Sequence, residues 1–241
     1  MEATVRSWSA WAPSLEDPQS WERWAEQPVP LGVEGVPDAK FLPPMLRRRC
    51  TPLTKIMLRV AFDACPEADR GSVRTVFASR HGSINESIDM IGAVVRQERL
   101  SPAKFSHTVH NAQAGLFSIA AGNREASASL AAQSDTFPFG FLEALTHLER
   151  EPDRPVLFVT GDVPLAPTFA PLVSEATASY AVGLVLASDG PGTRIGFEIA
   201  PGAGAPSAKW PQAAEFLRWW LAGADALQLE GARQQFRWNR L

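Results

Sequence analysis

Residues 101–144, SPAKFSHTVHNAQAGLFSIAAGNREASASLAAQSDTFPFGFLEA, decide the fold of this chain. The small residues from Ala112 to Ala121 predict a closely packed helix, and Ser127 to Ala132 predicts a short strand. Ser134 follows that strand and precedes a second predicted helix, Phe139 to Arg150. The stretch therefore has the order strand, turn, helix, with a hydroxyl residue at the turn.

The flanking segments predict an α/β protein. Pro155 to Gly161 and Ser179 to Ser188 are continuous apolar runs, which are typical of strands covered on both faces. Apolar residues at helical spacing predict helices over Pro52 to Ala64 and Ser83 to Gln97. The other predictions are strands at Thr4 to Trp11, Val73 to Ala78 and Arg194 to Ile199, a loop with one helical turn from Trp21 to Pro44, a linker at Pro201 to Ser207, a helix at Gln212 to Leu221 and a hairpin at Leu227 to Trp238. Alternation of these elements indicates a layered fold.

Composition excludes several classes of function. The net charge is −3 and no stripe of Lys and Arg is present, so we expect no nucleic-acid partner. The densest basic run, Arg47 to Arg49, is interpreted as the exposed start of a helix. No window reaches 18 apolar residues, and residues 1–13 lack the pattern of a signal peptide, so we expect a cytoplasmic protein without a membrane span. Cys50 and Cys65 have no metal or redox spacing, and no metal or cofactor is expected.

The opening stretch resembles the core of the β-ketoacyl synthases. The matching residues are Ser101-Pro102, Asn111 with Ala114-Gly115, and Gly122-Asn123-Arg124. A gap-free count from them puts Ser134 at the position of the nucleophilic cysteine, with Gln133 just before it. PVLFVTGDVP and YAVGLVLAS resemble two further strands of that family. FLPPMLRRR, FASRHG and the Trp-rich tail are similar to segments of the short chain-length factors of bacterial aryl polyene clusters.

This resemblance implies a fold. It is the N-terminal half of the thiolase-like ketosynthase fold, with a five-stranded mixed sheet covered by helices. Residues 1–200 would form this half. Residues 201–241 would form a helix and hairpin that pack on it, in place of the second half of a full-length synthase.

Three departures from the family predict that the chain does not catalyse condensation. Condensation needs a thiolate, which a helix N-terminus stabilises, and Ser134 offers only a weakly acidic hydroxyl. The catalytic histidines and lysine of the family lie in its second half, and this sequence ends after one half. His81, His107, His110 and His147 match none of them. Glu125 and Ala126 also replace the usual Gly-Pro before the strand.

The resemblance then implies a function and a partner. The chain would be a non-catalytic chain-length factor that pairs with an active ketosynthase, shapes its acyl pocket and meets an acyl carrier protein through the complex, in polyene biosynthesis. The implied dimer interface is the predicted strand, Ser127, Ala128, Ser129, Leu130, Ala131 and Ala132. The implied lining of the acyl pocket is His81, Ile84, Ile88, Ile91, Phe105 and Thr108. For the isoleucines, packing in this subunit's own core is an equal alternative.

Two other functions stay open: an acyl-binding or regulatory homodimer, and an independent acyltransferase that uses Ser134. No G-x-S-x-G motif surrounds Ser134, and Asp135 with Thr136 suits a helix cap. His107 and His110 are three residues apart but have no acidic or cysteine partner nearby in sequence, which favours packing over metal binding.

Two further features have structural interpretations. The turn Thr160-Gly161-Asp162 lacks a nucleotide-binding pattern. Trp219 and Trp220 are interpreted as core or interface packing, and they point about 100° apart on one helix, so one of the two can face a partner.

Overall fold

The computed structural model describes residues 1–169, 171, 178–202 and 209–241. Within these ranges the strands are β1 (Glu2–Trp11), β2 (Arg74–Ala78), β3 (Ser127–Leu130), β4 (Val156–Asp162), β5 (Tyr180–Ala187), β6 (Thr193–Pro201), β7 (Ala226–Glu230) and β8 (Gln234–Arg240). The helices are α1 (Pro18–Glu26), α2 (Pro44–Arg47), α3 (Pro52–Ala64), α4 (Ile84–Val95), α5 (Pro102–Phe105), α6 (Ala112–Ala121), α7 (Thr136–Arg150) and α8 (Gln212–Ala222), with a 3₁₀ turn at Gln133–Asp135.

All the described strands form one mixed sheet in the order β3-β2-β4-β5-β1-β6-β8-β7. β2 pairs in parallel with β3 and with β4, and every other neighbouring pair is antiparallel. The predicted α/β mixed sheet is confirmed, but it has eight strands and not five. The three additional strands are β6, which pairs with β1, and the C-terminal hairpin, which pairs with β6 from Ile195 opposite Arg240 to Pro201 opposite Gln234.

Helices cover both faces of this sheet. α3 and α6 cover one face, where Leu53, Ile56 and Phe117 are buried against the strands. α7, α8 and α1 cover the other face, where aromatic side chains from α7, α8, β6 and β8 meet. Every residue of β5 is buried, as its continuous apolar run predicts.

The close approach of α7 to the sheet depends on Gly140. A Cβ at this position would lie 2.8 Å from the Ala78 Cβ on β2 and 2.7 Å from the Phe158 ring on β4. Both distances are too short for two carbon atoms in contact, so a larger residue at position 140 would push α7 away from β2 and β4. Glycine therefore allows the close packing of α7 on these parallel strands. The N-terminus of α7 is thereby held over the ends of β2 and β4.

Two local predictions are wrong. Trp21 and Trp24 lie on the nine-residue helix α1 and not in a loop with a single helical turn, because Asp17 and Ser20 form a reciprocal capping box and Pro18 occupies the first turn. The two tryptophans are three positions apart, which places both rings on the buried side of the helix. The Arg47–Arg49 run also does not start a helix, since Arg47 ends α2 and the next helix begins at Pro52.

The C-terminal segment has two roles in the fold. α8 packs against α1 and α7, whereas the β7–β8 hairpin extends the sheet. Trp219 is buried and Trp220 contacts the Trp8 ring edge-on, as the packing interpretation expects. The predicted linker lies mostly outside the described residues, and the division at residue 200 stays a prediction.

Candidate functional site

The parallel strands β2, β3 and β4 end at the same edge of the sheet. Ser79, Arg80 and His81 follow β2, the segment 131–134 follows β3, and Asp162 ends β4. An open cleft of about 570 Å³ lies at this edge, lined by Arg80, His81, Ala131, Ala132 and Gln133. Since ligands of α/β sheets bind at the carboxyl ends of the strands, this edge is the candidate site.

The turn between β3 and α7 is sharply bent. Gln133 has φ of 52°, in the left-handed region that non-glycine residues rarely adopt. The Thr136 hydroxyl donates to the Gln133 carbonyl at 2.7 Å and accepts from the Ala132 N–H at 3.0 Å, which fixes the bend. Ser134 is half-buried one residue further on. The turn thus presents residues 133 and 134 at the N-terminus of a 15-residue helix.

Backbone strain in this turn falls on Gln133. Strand-to-helix turns that expose a nucleophile place the strained conformation at the nucleophile itself. The strained conformation therefore lies one residue before Ser134, the residue that the gap-free count places at the nucleophile position. Neither side chain carries a thiol.

The side chain of Asp135 does not cap α7, contrary to the sequence-based expectation. Asp135 stands at the N-cap position, but its carboxylate makes no capping hydrogen bond. It accepts instead from the Ala232 N–H, 3.0 Å away in the β7–β8 turn. The capping prediction is wrong because a distant segment supplies the donor.

Asp162 organises the loop after β2. Its carboxylate accepts from the Ser79 hydroxyl at 2.8 Å and from the Arg80 and His81 N–H groups, each at 3.2 Å. The His110 ring contacts the Ser79 carbonyl at 2.9 Å, so that histidine packs the same loop from outside. These bonds fix Arg80 and His81 at the cleft. Sequence reasoning missed Arg80 and this role of Asp162. The available signal for Asp162 is a single acidic residue directly after a continuous apolar strand.

Burial shifts the titration of this cluster. It raises the pKa of Asp162, and the hydrogen bonds from Ser79, His81 and Arg80 oppose the shift. It lowers the pKa of His81, against the effect of the Asp162 charge. Burial and the nearby Asp162 raise the pKa of the Tyr180 phenol on β5. The neutral form of the His81 imidazole is therefore favoured at the cleft, beside Asp162 and the buried side chain of Tyr180.

The hydrogen bonds at the turn include no contact between a base and Ser134 within the described residues. Among the hydrogen bonds of the described chain, none joins Ser134 to a histidine or carboxylate. Burial raises the pKa of Cys65 to about 11 and also raises that of Cys50, opposite to the shift of a catalytic cysteine. No group of three metal-ligating side chains occurs in the described part of the chain.

The predicted pocket residues fall into two groups. His81 lines the cleft. Ile84, Ile88 and Ile91 share one side of α4, a helix that buries no residue; Ile91 is 64% exposed. Phe105 is 62% exposed at the end of α5, and Thr108 is half-buried after it. Ile84 and Ile91 therefore lie outside this subunit's own core, and Ile88 is half-buried.

The predicted interface strand is the edge strand β3. Ser127 to Leu130 form β3, while Ala131 and Ala132 line the cleft. The Thr75 and Ser79 N–H groups donate to the Ala126 and Leu130 carbonyls. Because bonds alternate along a parallel ladder, the N–H groups of Ala128 and Leu130 point to β2, and those of Ser127 and Ser129 point to the open edge.

A second cavity of about 590 Å³ lies on the opposite side of α4 from the isoleucines. Met90, Ala93 and Leu100 contribute apolar walls. The cationic side chains at this cavity are Arg48, Arg49, Arg96, Arg99 and Lys104, with His107 beside them. Glu86, Asp89 and Glu98 bring three negative charges, so the lining is basic on a chain of net charge −3.

The mixed sheet, its two helical layers and the strand–turn–helix site define an α/β protein of the thiolase-like ketosynthase fold. Residues 21–239 match the family model described as "Beta-ketoacyl synthase, N-terminal domain". The chain therefore belongs to this family. No curated protein matches it in sequence. None of the described helices is long and apolar enough to cross a membrane.

Several solved structures are similar to the chain. One is a chain of the ketosynthase (ApeO) in complex with its chain length factor (ApeC) from Xenorhabdus doucetiae, with 25% identity, a TM-score of 0.84 and 100% of both chains covered. The ishigamide ketosynthase/chain length factor has 15% identity and a TM-score of 0.66 over 93% of this chain and 74% of that one. A type II acyl-carrier protein complex with its ketosynthase has 13% identity and a TM-score of 0.64, over 83% and 70%.

Proposed function

We propose that this chain is a non-catalytic chain-length factor that pairs with an active ketosynthase and forms one wall of its acyl pocket, in polyene biosynthesis in the cytoplasm. The overall reaction would be decarboxylative condensation on carrier-protein thioesters, with the nucleophile and catalytic histidines supplied by the partner. The likeness to a chain of a ketosynthase–chain length factor complex over 100% of both lengths supports this pairing.

The observation that carries the proposal is an apolar surface next to an unpaired strand edge. We call Ile84, Ile91, Val94, Val95 and Phe105 the α4–α5 surface; each of these side chains is at least 39% exposed. Exposed apolar patches of this kind mark interaction sites. The cleft at Arg80, His81 and residues 131–133 lies between the start of α4 and the end of β3. We assign the α4–α5 surface, the cleft and the open edge of β3 to the same partner.

The chemistry of the turn supports a non-catalytic role. A serine needs an adjacent base, and glutamine is not a nucleophile. We expect Ser134→Ala and Gln133→Ala to leave condensation by the complex within a fewfold of wild type. A loss of several hundredfold in Ser134→Ala would favour the acyltransferase alternative.

The basic cavity supports a contact with the carrier protein in the complex. Arg99 and Lys104 have no ion pair in the described parts of the chain, and both side chains are exposed. Carrier proteins that bring an acidic surface would be attracted to such a cluster. Arg99→Glu with Lys104→Glu should weaken carrier binding to the complex and leave pairing with the ketosynthase intact.

The deciding experiment is co-expression with the candidate ketosynthase and co-purification. Ser129→Pro removes an N–H at the open edge of β3, which this edge tolerates in the free chain. It should abolish co-purification while the chain itself stays folded. Ala128→Pro is the matched comparison, because it breaks the ladder with β2 and destabilises the chain. Retained binding in Ser129→Pro would place the interface elsewhere and favour the homodimer alternative.

Pocket residues are tested by product length. Ala at His81, Ile84, Ile88, Ile91, Phe105 or Thr108 should lengthen the product where that side chain stops the acyl chain, because packed interiors do not stretch to admit methylenes. Mass spectrometry of the carrier-bound products gives the lengths. Constant length across all six variants in intact complexes would remove the pocket role and leave the stabilising role.

A further inference from the structure

A buried carboxylate connects the turn after β3 to the C-terminal hairpin. Asp135 is 4% exposed. Its Oδ2 accepts from the Ala232 N–H at 3.0 Å, across 97 residues of sequence. Its Oδ1 has no hydrogen-bond partner among the described residues. The bond to Ala232 therefore ties this side chain to the hairpin.

The hairpin turn is shaped to receive that carboxylate. A Cβ on Gly231 would lie 2.8 Å from Asp135 Oδ2 and 2.6 Å from the Phe236 ring. The Gly231 N–H donates to the Gln234 carbonyl at 2.8 Å, which closes the turn. A side chain at position 231 would overlap the Asp135 carboxylate. The hairpin turn therefore needs glycine here to pack this closely against Asp135.

The carboxylate lies directly behind the residues of the cleft. Asp135 is two residues after Gln133, and the Asp135 N–H donates to the Ala132 carbonyl at 3.0 Å. Phe137, two residues further, contacts the Trp238 ring at 5.8 Å between centroids. The hairpin thus contacts the turn at two points, one polar and one aromatic.

We infer that Asp135 is a positioning residue, which uses its bond to the β7–β8 turn to hold Gln133 at the wall of the cleft. Loss of this bond would let the bend relax and would change the surface that the chain offers to the acyl pocket. The expected effect on product length rests on the proposed function. The expected effect on the turn rests on the structure alone.

The test compares Asp135→Ala with Asp135→Asn in the full chain and in its complex with the ketosynthase. The asparagine keeps an oxygen for the Ala232 N–H, and the alanine does not. Hydrogen exchange of the amides in 131–137 and of Ala232 should rise about tenfold in Asp135→Ala, as expected for loss of one hydrogen bond to a buried carboxylate. Asp135→Asn should remain near wild type.

Product length is the readout that a loss of stability alone would not change. Asp135→Ala should alter the distribution of carrier-bound products in complexes that still form. Ser7→Ala is the matched control, since the Ser7 hydroxyl ties β1 to the Ala64 carbonyl at 2.7 Å far from the turn. It should leave both exchange at 131–137 and product length unchanged.

The outcomes test the positioning role of Asp135 separately from the proposed function of the chain. Unchanged exchange in Asp135→Ala, or equal changes in the alanine and asparagine variants, would overturn the positioning role. If wild-type complexes make no product, the proposed function fails, while the exchange data still decide the role of Asp135. Should Asp135→Ala not fold, Gly231→Ala gives the same test from the hairpin side. An unperturbed turn in that variant contradicts the inference.

Discussion

The face of the sheet under α7 and α8 and the outer side of α4 are both rich in large apolar side chains, but only the first is buried. On the first face, Phe141, Phe216 and Trp238 are completely buried and pack with rings from α7, α8, β6 and β8. On α4, Ile91 and Val95 are 64% and 77% exposed. The chain covers one apolar face with its own C-terminal segment and leaves the other exposed. Similar side chains are therefore buried in one region and, under the proposed function, contact a partner in the other.

Trp238→Ala should have the largest effect on the free chain. Removing a completely buried tryptophan costs about 3–5 kcal/mol, a large fraction of the stability of an ordinary domain. Thermal unfolding should show a loss of that size or no folded protein. Trp220→Ala, at a half-buried tryptophan on the same segment, is the control and should cost less. Equal effects would mean that burial does not distinguish these two tryptophans.

Asp162→Ala should have the next largest effect, because it leaves the donors of Ser79, Arg80 and His81 without their acceptor. We expect a loss of about 1–3 kcal/mol. Burial raises the pKa of Asp162 in the folded chain. Its contribution to the free energy of unfolding is therefore fully present below its usual pKa and is lost as pH rises through the folded-state pKa. The difference in unfolding free energy between wild type and Asp162→Ala should narrow as pH rises, and denaturant unfolding at several pH values measures it. A difference that widens with pH would contradict the sign of this shift.

Val95→Asp should leave the stability of the free chain within about 0.5 kcal/mol, because the side chain is 77% exposed. In the complex it should abolish co-purification, since a charge would be buried against the ketosynthase. Val29→Asp is the matched control, at a valine that is 61% exposed outside the α4–α5 surface. Equal binding by both variants would remove α4 from the interface.

The smallest effect concerns thiol chemistry. With the pKa of Cys65 raised to about 11 by burial, only about one thiol in a thousand is ionised at pH 8. We expect Cys65 in the folded chain to react with a thiol reagent at least a hundredfold more slowly than after unfolding. Cys65→Ser should leave condensation by the complex unchanged. Fast labelling of the folded chain would show a thiolate that burial does not suppress.

The class of this protein and most of its elements follow from its sequence alone. The continuous apolar runs of β4 and β5 and the helical spacing of α3 predict these elements to within one residue, because periodicity reports burial along a single element. The sequence also shows that no thiol stands at the turn after β3. The capped helix at Trp21 and Trp24 was missed because its apolar signal is short and flanked by proline-rich loops.

Which apolar residues are covered depends on the contacts between distant segments. The isoleucines of α4 and the apolar residues of α3 have the same helical spacing, yet only those of α3 are buried, because burial depends on what other segments reach. The eight-stranded sheet and the bond from Asp135 to Ala232 join residues far apart in sequence, and local pattern carries no information on such pairs. The strained φ of Gln133 is likewise imposed by the surrounding contacts, since no local preference of glutamine would produce it.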